Sequence, residues 1–147
     1  MAGLSELYQN VILEHNRSPR NYRPMDDANR EAQGHNPLCG DRLSLYVQVA
    51  GGRIADVAFV GSGCAISKAS ASLMTDAVKG QPLADVEDMF QRFHRMVTTP
   101  PDQPVEQMGK LSVLAGVREF PVRVKCASLA WHTLKAALDR EAAVSTE

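Results

Sequence analysis

Two periods organise the hydrophobic positions of this chain. From Leu43 to Val49, Leu43, Leu45, Val47 and Val49 alternate with Arg42, Ser44, Tyr46 and Gln48, the period of a strand with one buried face. Gly51-Gly52 supplies a hairpin turn, and "RIADVAFVG" predicts a second strand antiparallel to the first. The stretch from Tyr22 to Gln33 is polar and irregular, with a short strand expected near Ala32 to His35. Elsewhere the period is helical. Leu7, Tyr8, Val11 and Ile12 mark a helix from Ser5 to His15, which Pro19 in "NRSPRN" prevents from continuing. Ile66, Ala69, Leu73, Ala77 and Val78 mark a second helix, capped by Gly80. A third helix runs from Leu83 to Val97, with Leu83, Val86, Phe90, Phe93 and Val97 on one face. Three prolines make Thr98 to Pro104 a loop, and a shorter helix is expected from Glu106 to Ala115. The chain turns at Pro121 into a last helix with Leu129, Thr133, Leu134, Ala137 and Leu138 inward, followed by a frayed tail, "AAVSTE".

Strands first and helices mostly later predict an α+β fold, a small antiparallel sheet with helices on one face, in a single domain spanning residues 1–147. A chain of 147 residues can bury a core without disulfide staples. Its formal net charge of −1, with 22% charged and 44% hydrophobic residues, suggests neither a nucleic-acid partner nor an acidic membrane surface. No apolar run approaches the roughly 18 residues needed to span a bilayer, and "MAGLSELYQN" lacks the pattern of a signal peptide. A cytoplasmic location is expected.

Cys39, Cys64 and Cys126 are odd in number and widely spaced, which argues against a disulfide framework. They are either inert core thiols or chemistry, since free cysteine often packs as a small hydrophobe. Their surroundings favour chemistry. Cys39 precedes Gly40, Cys64 follows Gly61 and Gly63, and Cys126, near Arg123 and Lys125, is expected at a helix N-terminus. Backbone N–H groups at such turns and helix starts stabilise a thiolate. A strand mouth carrying Cys39 and Asp41, facing helix starts carrying Cys64 and Cys126, would offer three thiolates and a carboxylate to one tetrahedral zinc. No CxxC pair is present, so spacing alone leaves the metal site and the core reading both open.

Four blocks, "LYQNVILEHNRSPRN", "GHNPLCGD", "GSGCAIS" and "VKCASLAW", resemble in that order the IscU/SufU (NifU N-terminal-like) family of iron–sulfur cluster assembly proteins. The resemblance implies a three-stranded antiparallel sheet packed against helices, with functional positions at Cys39, Asp41, Cys64 and Cys126. Lys125 stands where IscU-type scaffolds carry a histidine, and a helical insertion at about 83–116 resembles the SufU branch. "FPVRV" matches only part of the chaperone motif of IscU-type proteins. For a SufU-like protein the resemblance implies bound zinc and sulfur accepted from a pyridoxal-phosphate cysteine desulfurase of the SufS type. Cys39 would be the acceptor, Asp41, Cys64 and Cys126 would keep the metal, and Arg123 could support the freed sulfur or be a plain surface cation. Downstream iron–sulfur assembly proteins would be further partners.

The alternative within the family is a scaffold for a [2Fe–2S] cluster, with iron in place of zinc, for which Cys39, Asp41, Cys64 and Cys126 would be the ligands. Outside it stand a cysteine hydrolase built on Cys39 with a histidine base, which leaves two cysteines unexplained, and a structural zinc protein without catalysis. His15, His35, His94 and His132 form no pair at ligand spacing; His35 is near enough to Cys39 to line the site, while His94 and His132 read as surface or packing residues. Tyr8 and Pro19 to Asn21 are expected to serve packing or partner contact, and Phe90, Phe93 and Trp131 the core.

Overall fold

The structure is a computed structural model that describes the backbone of residues 2–140 and 143–145, and the side chains of residues 9–140 and Ser145. Helix α1 (Ala2–Arg17) is followed by strands β1 (Arg30–Asn36), β2 (Asp41–Ala50) and β3 (Arg53–Ser62). Helices α2 (Ala65–Val78) and α3 (Leu83–Thr98), a 3-10 run (Gly109–Glu119) and helix α4 (Pro121–Leu138) come next. The three strands form an antiparallel meander, as the alternation predicted. A short β4 (Ala143–Ser145) lies parallel to β1, giving the order β3-β2-β1-β4. The tail expected to fray therefore contributes an edge strand, held by backbone pairing that its side chains did not announce; its residues 142, 146 and 147 lie outside the described ones.

Alternation along β2 sets the layers. Asp41, Leu43, Leu45 and Val47 are all buried, on the side covered by α2 and α4. Arg42 is exposed, and Ser44, Tyr46 and Gln48 are half-buried on the other side. The core joins Leu45, Val47, Ile54, Val57 and Phe59 to Met74 of α2, Phe93 and Met96 of α3, and Leu129, Trp131 and Leu134 of α4. Phe93 and Trp131 stack with ring centroids 4.6 Å apart, as their core assignment required, while Phe90 is only half-buried.

Two boundaries differ from expectation. The segment expected as a short helix at 106–115 is a 3-10 run from Gly109, which has a left-handed conformation, to Glu119, with a second glycine, Gly116, inside it. Glycine costs an α-helix about 1 kcal/mol per residue, so the apolar spacing of Leu111 and Leu114 buries their side chains without enforcing α geometry. Strand β1 extends beyond the predicted 32–35, because it pairs with β2 along its whole length, ending at Asn36 opposite Asp41. No described helix is long and apolar enough to cross a membrane.

Candidate metal centre

At one end of the sheet the β1–β2 turn meets the starts of α2 and α4. Cys39 sits in that turn, where the N–H groups of Cys39 and Gly40 donate to the Asn36 carbonyl at 3.3 and 2.8 Å. Gly40 has φ +74°, a conformation costly for a side-chain-bearing residue and free for glycine. Asn36 also closes the turn through its side chain, whose Oδ1 accepts the Leu38 N–H at 3.2 Å. Cys39 is half-buried beside Leu38, which is 62% exposed.

Asp41 begins β2 on its inward face and is 0% exposed. Its Oδ1 accepts the Cys64 N–H at 2.8 Å, while Oδ2 faces the Cys64 sulfur, at 3.7 Å. Gly63 makes this approach possible: a Cβ there would stand 2.5 Å from Oδ1, at a φ of +151° that other residues rarely adopt. Cys64 is the N-cap of α2, as expected, and its Sγ accepts the Ser67 N–H at 3.4 Å.

Cys126 is placed differently from the expectation of a helix N-terminus. Because α4 starts at Pro121, Cys126 lies in the second turn, its sulfur 3.7 Å from the Val122 carbonyl one turn back. The thiol is fully buried and lacks the N-terminal N–H groups expected for it. Its neighbours are the Cys39 Sγ at 3.3 Å and the Asn36 side-chain amide, whose Nδ2 donates at 3.7 Å. Burial pushes the Cys126 thiol far up from its ordinary range, with Cys39 and Cys64 adding to the effect. Arg123 is exposed at the surface with its guanidinium turned toward this sulfur; the Cys126 hydrogen bond foremost, then the nearby Cys64, Cys126 and Cys39 sulfurs, push its pKa up. A cavity of about 450 Å³ bordered by Cys39, Phe120, Val122 and Arg123 opens this side of the site to solvent.

One ligand atom each from Cys39, Asp41 and Cys126 lie within 4.8 Å of one another, and Cys64 joins them through Asp41. The residues fit a metal on the chemistry of this donor set. A fully buried carboxylate set among thiols is costly unless a cation or further donors neutralise it. Three sulfurs and a carboxylate oxygen are a tetrahedral set suited to zinc, and thiolates also suit iron–sulfur clusters.

Asn36 was not among the sequence candidates. Its signal was available: the alternation that buries Ala32 and Gly34 also turns Asn36 inward, next to the cysteine turn. His35 occupies the opposite face of β1, paired with Arg42 and away from the thiols. His94 and His132, which sequence spacing did not pair, approach with ring centroids 6.4 Å apart, both against Phe90. His15 is buried and bonded to Ser72. Among the described residues no histidine hydrogen-bonds a thiol, which leaves the hydrolase alternative without its base. Asn21 donates to Thr75 Oγ1 at 3.0 Å, in keeping with the packing role expected of Pro19 to Asn21, and the Tyr8 side chain lies outside the described residues.

The NifU-like N terminal domain family matches residues 7–127. A scaffold protein for iron–sulfur cluster assembly, IscU of Streptococcus pyogenes, is 39% identical over 142 residues, covering 97% of this chain and 89% of the relative. The zinc-dependent sulfurtransferase SufU of Bacillus subtilis is 37% identical over 140 residues, covering 95% of each chain. A crystal structure presented as a scaffold protein for the SUF system, from Fervidobacterium islandicum, superposes with a TM-score of 0.80 at 30% identity, covering 87% of this chain and 93% of that one.

Proposed function

Because this chain belongs to the NifU-like N-terminal domain family, which includes IscU and SufU, we propose that it is an iron–sulfur cluster assembly protein. Its specific task in this reading is to accept sulfur on Cys39 from a pyridoxal-phosphate cysteine desulfurase of the SufS type. The observation that carries it is the gathering of Cys39, Asp41 and Cys126 ligand atoms within 4.8 Å, around a fully buried carboxylate. Asp41, Cys64 and Cys126 would hold zinc together with Cys39. When bound, zinc keeps thiols deprotonated and takes no part in redox chemistry.

The residues divide the work by exposure. Cys126 is buried, whereas Cys39 and Cys64 are both half-buried, and of these two Cys39 sits in a turn and borders the open cavity. Its thiolate attacks the outer sulfur of a persulfide on the desulfurase; that S–S bond breaks as the Cys39–S bond forms, and the donor cysteine leaves as a thiolate. Arg123 offers a cation to the sulfur during the exchange. Leu38, Phe120 and Val122, at 62%, 60% and 54% exposure, form an apolar collar that a docking partner would cover, excluding water from the persulfide. The segment 83–116, which supplies α3 and most of the 3-10 run, is in this reading the insertion of the SufU branch.

Purified without added metal, the protein should carry about one zinc per chain and stimulate its cognate desulfurase. A Cys39→Ala variant that stimulates as well as the parent would sink the acceptor assignment. The second reading, a [2Fe–2S] scaffold, is favoured by the IscU scaffold relative and by the same four ligands. Anaerobic reconstitution distinguishes it: a stable chromophore that passes to an apo-ferredoxin supports the scaffold, and bleaching with zinc retained supports the sulfur acceptor.

A further inference from the structure

The proximity of two sulfurs carries a consequence for any persulfide held on Cys39. Cys126 Sγ stands 3.3 Å from Cys39 Sγ, in direct contact, about 1.25 Å longer than a covalent S–S bond of about 2.05 Å. The two thiols differ in freedom. Cys126 is fixed inside α4, buried, and gripped by the Asn36 amide. Cys39 belongs to a surface turn, half-buried beside the exposed Leu38 and bordering the open cavity. Cys64, in the same cluster, has its sulfur on the Ser67 N–H and beside Asp41 Oδ2.

We infer that Cys126 is a resolving thiol: in the metal-free chain it attacks a persulfide carried on Cys39 and discharges it as sulfide. This rests on the reading of Cys39 as the sulfur acceptor. The step balances without an outside reagent. The Cys126 sulfur attacks the inner sulfur of Cys39–S–S⁻, the Cys39–Cys126 disulfide forms, and the outer sulfur leaves as HS⁻ carrying the Cys126 proton. Two thiol-level sulfurs are oxidised to the disulfide, and the sulfane sulfur takes the two electrons. Arg123, facing the same sulfurs, stabilises the anionic charge as it moves from the persulfide to the departing sulfide. A dithiol reductant restores both thiols. Retention of transferable sulfur is thereby tied to metal loading: a metal that engages Cys126 withholds the resolving thiol, and a chain that has lost its metal releases the sulfur and locks its own site.

The test uses full-length protein stripped of metal by a chelator, reduced, and treated anaerobically with substoichiometric inorganic polysulfide. Intact mass, peptide mapping and released sulfide are followed together. The expected wild-type outcome is one sulfide per sulfane sulfur consumed, a chain lighter by two hydrogens, and a peptide linking Cys39 to Cys126. Cys126→Ser, and Cys126→Ala should the serine variant fold poorly, should keep the mass of one added sulfur on Cys39, with sulfide release slowed at least about tenfold. Zinc-loaded wild type should also keep that sulfur. A Cys39 persulfide equally long-lived in metal-free wild type and in both Cys126 variants, or a bridge from Cys39 to Cys64, would overturn the resolving role while leaving the acceptor reading standing. A Cys39 that remains an unmodified thiol in every protein would overturn the acceptor reading, and this inference with it.

Discussion

Two buried polar clusters flank α2, and they are finished differently. Near its middle, His15 Nδ1 lies 2.7 Å from Ser72 Oγ, and the same oxygen accepts the Arg20 N–H at 2.8 Å. Thr75, one turn on, donates to the Ser72 carbonyl at 2.8 Å and receives the Asn21 amide at 3.0 Å. Every group there has a partner of ordinary length, and the cluster fastens α1 and the segment after it to α2. At the N-terminus of α2, Asp41 Oδ2 and the three thiols make only long sulfur contacts among the described residues: 3.7 Å from Oδ2 to Cys64, 3.3 Å between Cys39 and Cys126, and 3.4 to 3.7 Å to Ser67, Asn36 and Val122. Native proteins satisfy buried polar groups, so a finished cluster reads as structure and an unfinished one as a site awaiting a ligand.

The largest effects should separate the clusters by removing one member of each. Asp41→Ala should lower metal affinity more than about 100-fold, beyond what outer partners of a ligand typically cost, as measured by chelator competition. Asp41→Asn sharpens the point. Its side-chain oxygen can still accept the Cys64 N–H, but the buried charge is gone. In the metal-free protein it should raise Tm or leave it unchanged, and in the metal-loaded protein lower it. Destabilisation of the metal-free form by Asp41→Asn would mean that the carboxylate is a structural group after all.

Ser72→Ala comes next. It strands the His15 ring nitrogen and the Arg20 N–H, for an expected loss of about 1–3 kcal/mol in denaturant unfolding, with metal content unchanged. A fall in metal content would show that the clusters are not separable.

Much of this architecture was legible as period. The alternation that placed Leu43, Leu45 and Val47 inward also places Asp41 inward, so a carboxylate at a core-facing position was written in the sequence beside Cys39. Cys64 was correctly read at a helix start because Gly63 and the following apolar spacing mark it. Cys126 was misplaced because proximity to Pro121 says where α4 begins, whereas the sulfur's surroundings depend on which face of the second turn it occupies. The cluster around His15 escaped notice for a different reason. Its bonds join residues 57 and 52 positions apart, and neither histidine nor serine carries a periodic signal that reports a distant partner. The edge strand β4 pairs with β1 through its backbone, which composition does not encode.

The His15 cluster also predicts a pH response. Burial, foremost, and the neighbouring Arg20 push the His15 pKa down from its ordinary value of 6.5, with Lys110 acting the same way and Glu14 and Asp76 opposing. The unfolded chain therefore binds this proton at a higher pH than the folded one. Stability from neutral His15 is fully present above about pH 6.5 and is lost as pH falls from there to the lowered folded pKa. The loss should be smaller than that of Ser72→Ala and should flatten in His15→Gln, measured as denaturant midpoints across that range.

The smallest effect should come from the exposed ion pair beside this cluster. Arg20 Nη2 lies 2.7 Å from Glu14 Oε1, with both side chains well exposed. Water competes for both charges and salt screens them, so such pairs contribute little. Arg20 reaches the cluster through its backbone N–H, which a change at Glu14 leaves in place. Glu14→Gln should therefore leave Tm and metal content at their parent values. It would also remove a nearby negative charge that raises the His15 pKa, so the loss of stability, still beginning near pH 6.5, should run to a slightly lower pH and become slightly larger. A Tm loss as large as that of Ser72→Ala would mean that α1 is fastened by its surface charge rather than by the buried hydroxyl.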